Sequence, residues 1–141
     1  MIKSGFSIIE LIIVMGITIT LFAIASFSFI KPQQKANIDG VVNVLIADIK
    51  TVQTKAMLGN SQSDFTIRFD TNSYTLDGYT VNLSENVKIK DITFFENKLV
   101  FQKGSGEHIY SGNQNSLVIS TESGDEPVQI IVNKYGAVHT N

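Results

Sequence analysis

The chain has 141 residues, 43% of them hydrophobic, with eleven basic against thirteen acidic side chains, a net charge of −2, two prolines and no cysteine. That apolar content excludes a disordered chain, and the missing cysteines exclude a thiol nucleophile, a disulfide framework and a cysteine-based zinc site. His108 and His139 are too few for a multi-histidine metal site, and Arg68, the single arginine among scattered lysines, announces no basic face for nucleic acid.

The first element is an apolar run from Gly5 to Ile30 that holds one charge, Glu10. About 25 residues at 1.5 Å each give roughly 37 Å of helix, enough to cross a hydrocarbon core of about 30 Å. A carboxylate in a lipid-facing helix costs at least a few kcal/mol unless it is paired or neutralised, so Glu10 marks a functional position. Two plainer readings compete. Ala23-Ile24-Ala25 followed by Ser26 fits the small-residue pattern of a signal peptidase site. A secretory signal has a shorter apolar core and no acid near its start, whereas this run continues through Phe27, Phe29 and Ile30. The segment also reads as a plain signal anchor. Charge counting does not separate these, because Lys3 flanks one side while Lys31 and Lys35 flank the other.

Beyond the run, Ile38, Val41, Val42, Leu45, Ile49, Val52 and Ala56 recur at spacings of three and four, with Asp39, Asn43, Asp48, Lys50, Gln53 and Lys55 between them. This predicts an amphipathic helix continuing the first, with Gly59-Asn60 as its C-terminal cap. Pro32 is the expected kink, since it removes an N–H and crowds the carbonyl of Ser28; Gly40 is a second soft point. After Gly59 the period changes to two. Phe65, Ile67 and Phe69 alternate with polar residues, followed by Tyr74 and Leu76, by Tyr79, Val81 and Leu83, and by Val87 and Ile89. Further strands are expected at Ile92 to Phe95, Leu99 to Gln102, Leu117 to Thr121 and Pro127 to Asn133, with a tight turn at Lys134-Tyr135-Gly136. The expected fold class is α+β: a long N-terminal helix, half membrane segment and half amphipathic, packed on a small antiparallel head of seven or eight strands in two sheets, one of them covered by the helix. The division is 1–5, 6–30, 31–59 and 60–141.

Little in the head suggests chemistry. Gly104-Ser105-Gly106-Glu107-His108 lacks the strand-to-helix setting of a nucleophile elbow and reads as a polar loop. Asp70-Thr71-Asn72-Ser73-Tyr74 and Glu122-Ser123-Gly124-Asp125-Glu126 lack the full acid spacing of a calcium loop and read as turns. No metal, cofactor or catalytic set is expected.

Lys3-Ser4-Gly5 followed by Phe6-Ser7-Ile8-Ile9-Glu10-Leu11-Ile12-Ile13-Val14-Met15 resembles the processing site of type IV prepilins and of the related pseudopilins of type II secretion. The resemblance implies that residues 1–5 are a leader, that a prepilin peptidase cuts after Gly5 and that Phe6 becomes an N-methylated terminus. Glu10 then becomes the register device, pairing with a terminal ammonium of its own or a neighbouring subunit. Ile8, Ile9, Leu11, Ile12, Ile13, Val14 and Met15 would line the membrane and later the filament core. Implied partners are other pilins or pseudopilins in a helical filament, membrane lipid before assembly, and an inner-membrane assembly platform with its ATPase. The head would lie outside the cytoplasm. The order of long helix and all-β head, with a hairpin from Phe95 to Phe101 and the closing stretch Ile130 to Val138, is similar to the minor pseudopilin H branch, also called GspH/FimT-like. Three function classes stay open: a structural subunit, a filament-tip module binding DNA, a surface or secreted cargo, and an exported or anchored enzyme, for which no catalytic set is recognisable.

Overall fold

The computed structural model describes residues 7–28, 30–59, 65–109, 115–122, 124 and 127–141, without the side chains of 25–32. The described residues form an α+β chain of two helices, α1 (Ile8–Ser28) and α2 (Ile30–Leu58), and eight strands. The strands are β1 (Thr66–Phe69), β2 (Ser73–Leu76), β3 (Tyr79–Asn82), β4 (Val87–Lys90), β5 (Lys98–Val100), β6 (Ser116–Thr121), β7 (Val128–Val132) and β8 (Val138–Thr140). The chain divides into two units, Met1–Gln34 and Lys35–Asn141.

In the second unit, α2 buries the stripe that its sequence period marks. Ile38, Val42, Leu45, Ile49, Val52 and Ala56 are buried, and Val41 is partly buried. The helix passes through Gly40 without a break, so the soft point expected there is absent. Hydrogen bonds made by the neighbours of one exposed glycine outweigh its propensity cost of about 1 kcal/mol. At the C-terminus Gly59 takes φ +63°, and its N–H donates to the carbonyls of Lys55 (3.2 Å) and Ala56 (3.1 Å), as the expected cap requires. Asn60 lies outside the described residues.

Two four-stranded antiparallel sheets follow, one in the order β3-β2-β1-β5 and the other β4-β6-β7-β8. The register sets Ile67 of β1 opposite Leu76 of β2 and Leu99 of β5, and Ile119 of β6 opposite Ile89 and Val128. Alternation therefore sends one row of each sheet inward. Ile67, Phe69 and Leu99 of the first sheet and Ile89, Leu117, Ile119 and Ile130 of the second belong to the same buried cluster as the α2 stripe.

Ile92 to Phe95 is not a strand, although its residues favour one. Asp91 adopts φ +49° and ends β4, after which Thr93 meets Ser116 by one backbone bond, its N–H donating to the Ser116 carbonyl at 2.9 Å, while its hydroxyl accepts the Ser116 N–H at 2.8 Å where a ladder would use a carbonyl. Phe95–Asn97 then forms a short 3-10 turn in which Glu96 and Asn97 have positive φ. The expected Phe95 to Phe101 hairpin is thus a crossing from one sheet to the other, since β5 pairs with β1. The eighth strand is β8, which pairs with β7 beyond the turn at Lys134-Tyr135-Gly136.

Candidate functional site

The Ser7 carbonyl starts α1 by accepting the N–H groups of Glu10 (3.1 Å) and Leu11 (3.2 Å). Glu10 therefore stands in the first turn, where the partial positive charge of unpaired N–H groups favours an acid. Ser7-Ile8-Ile9-Glu10 has the serine-to-acid spacing of a reciprocal helix cap, a local signal that the sequence reading passed over. Among the described residues neither side chain makes that bond, so the carboxylate is not committed to capping its own helix.

Every residue from Ser7 to Ile24 is exposed, and Ile8 reaches 79%. The expected lining residues Ile8, Ile9, Leu11, Ile12, Ile13, Val14 and Met15 lie on all sides of one short helix. Their polar neighbours are satisfied within it: Thr18 Oγ1 donates to the Val14 carbonyl at 2.7 Å and Thr20 Oγ1 to the Ile17 carbonyl at 2.8 Å. Exposed α1 is thus an apolar cylinder interrupted by one carboxylate. Among the described residues no helix is long and apolar enough to cross a membrane, and the described side chains of α1 stop at Ile24. Gly5 and Phe6 lie outside the described residues; Pro32 falls in the first turn of α2, with its side chain outside them.

In the head, His108 is buried, with Nδ1 3.1 Å from the Val100 carbonyl and its ring edge-on to Phe94 and Phe101. His139 lies on exposed β8. Among the described residues no group of three histidine or acidic side chains could hold a metal ion. The Gly104-to-His108 segment is a loop, tightened where the Glu107 N–H meets Ser105 Oγ at 3.2 Å, and Asp70 Oδ1 accepts the Thr71 N–H at 2.7 Å within its turn. A further polar pair is one that residue spacing did not reveal. Tyr74, buried on β2, donates its hydroxyl to Asp48 Oδ2 on α2 at 2.6 Å. Burial, and then the Asp48 hydrogen bond and charge, push the phenol above its usual range. This pair ties the helix to the first sheet and offers no nucleophile at neutral pH.

No family model, curated protein or solved structure matches the chain.

Proposed function

We propose that the chain is a pilin-like structural subunit of a type IV pilus or type II secretion pseudopilus, of the minor, pseudopilin H-like kind. The observation that carries the reading is Glu10: a carboxylate in the first turn of an exposed apolar helix, with no partner among the described residues. In this reading residues 6–30 span the cytoplasmic membrane before assembly, and a prepilin peptidase releases 1–5 and methylates Phe6. The new α-ammonium would stand four residues before Glu10 in sequence, near enough for the carboxylate to pair with its own terminus or with that of an axially offset neighbour. Leaving lipid for a filament core of similar polarity releases little hydrophobic free energy. Packing and the ion pair then choose the offset, and an ATPase acting through its membrane platform supplies the work. The role is structural and not enzymatic, and an eight-stranded head on a long helix supports the branch proposed.

Intact mass of the protein recovered from membranes tests the processing step. The expected mass lacks Met1 to Gly5 and carries one added methyl group. A mass corresponding to a cut after Ala25 would replace this reading with that of a secretory signal. Glu10→Ala tests assembly: processing continues while incorporation into filaments falls. Normal incorporation would remove the register role.

A further inference from the structure

The β3 edge of the first sheet is left open beside an apolar groove, and we infer that this edge and groove bind an extended peptide of another protein by strand addition. Asp77 and Gly78, with φ of +49° and +76°, make a two-residue turn that sets Leu76 opposite Tyr79. The N–H and C=O of Tyr79 and Val81 then point to β2, a direction that the Leu83 N–H bond to the Asn72 carbonyl at 2.9 Å continues. Thr80 and Asn82 accordingly turn their backbone groups away from the sheet, and among the described residues nothing pairs with them. Natural edges are blunted by short strand length, lysine, proline or a bulge, and at four residues β3 uses the first of these. Tyr79-Thr80-Val81-Asn82 carries no lysine, proline or bulge, so its backbone is open over that length, and Tyr79 is 70% exposed.

Next to this edge runs a groove of about 340 Å³, between Ala36, Gly40, Val41 and Val44 of α2 and Val81 and Leu83. Gly40 lines it without a side chain, and a Cβ added there would meet nothing within 4 Å. Val81 is opposite buried Tyr74, so its side of the sheet faces α2. A strand laid along β3 would exchange hydrogen bonds with Thr80 and Asn82 and drop every second side chain into the groove, the mode in which backbone gives affinity and alternate pockets give specificity. The occupant's size follows from the edge. Four residues span about 13 Å, and pairing over that length buries far less than the roughly 1,000 Å² that a stable dimer needs. A second copy is therefore disfavoured, and the partner is a short extended segment with apolar residues at alternate positions. The groove and the edge are built from residues 36–84 and include none of α1.

The test titrates isotopically labelled full-length chain, in detergent micelles, with a lysine-flanked peptide alternating valine and threonine. A peptide of the same composition with its valines consecutive is the control. Expected are amide shifts confined to Gly40, Val44, Thr80 and Asn82, slowed exchange at the Thr80 and Asn82 amides, and binding at least about fivefold tighter than the control. Gly40→Leu fills the groove and Thr80→Pro removes an N–H that the ladder does not use; each should weaken binding about tenfold with the melting transition retained. Equal binding of the two peptides, unchanged affinity in both variants, or concentration-dependent self-pairing through β3 would each overturn the inference.

Discussion

Tyr74→Phe isolates a part-buried polar contact between α2 and the first sheet. The ring stays in place and the hydroxyl that meets Asp48 at 2.6 Å is lost. A hydrogen bond to a charged acceptor is worth about 1.5–3 kcal/mol; Asp48 is only half-buried and regains water, so about 1.5 kcal/mol is expected. For a unit of roughly a hundred residues this lowers the midpoint by about 6–12 °C. Alkaline pH supplies an independent sign. The unfolded phenol ionises near pH 10, whereas the folded one, raised by burial and by Asp48, stays protonated. The contribution is thus complete below about pH 10 and declines by about 1.4 kcal/mol per pH unit as pH climbs toward the folded value. Thermal melts followed by near-ultraviolet circular dichroism, on both proteins from pH 8 to 11, should show a gap at pH 8 that closes by pH 11. An unchanged midpoint at pH 8, or a gap constant across the range, would refute the reasoning.

Leu45→Ala empties a fully buried site on the α2 stripe and should cost about 2–5 kcal/mol, read as a lower denaturant midpoint with an unchanged slope. Gln53→Ala removes two bonds from Nε2, to the carbonyls of Gly106 (3.1 Å) and Tyr135 (2.8 Å), which hold two loops on α2. A loss of about 1–2 kcal/mol in chemical denaturation is expected, and no loss would show that water replaces the amide.

Much of the head was legible because burial imposes a period. The three-and-four spacing from Ile38 to Ala56 names the buried face of α2, since a face that misses its sheet leaves apolar area in water. Alternation likewise marks β1, where Ile67 and Phe69 are buried and Arg68 is exposed. The misreading at Ile92 to Phe95 has a local origin. Its side chains suit a strand, but Asp91 at φ +49° breaks the regular ladder and the Thr93 hydroxyl takes the Ser116 N–H at the start of β6. Strand propensity measures fit to a half-buried pleated surface and does not register a left-handed residue just before it. Likewise β5 leaves the second sheet for β1, a pairing fixed by tertiary packing and not by the neighbouring sequence.

Composition and locality also explain what the sequence offered about the two surfaces. Glu10 stands out because a charge is conspicuous among some two dozen apolar residues, and a solitary charge needs no structure to be noticed. The β3 edge is the reverse case. Tyr79-Thr80-Val81-Asn82 reads like any short strand, and whether it lies in the middle or at the border of a sheet depends on where β1 and β5 go, a choice made some twenty residues away. The groove is equally hidden: Gly40 reads as a weak point in a helix, although the same missing side chain opens space between two elements that are distant in sequence. A glycine inside a helix that nothing crowds and nothing bends costs stability without a structural return, and an approaching backbone is a physical reason to tolerate it. For that reason Gly40→Leu should raise the melting temperature even as it weakens peptide binding, and opposite changes in those two measurements are what a functional glycine, as against a merely permitted one, would produce.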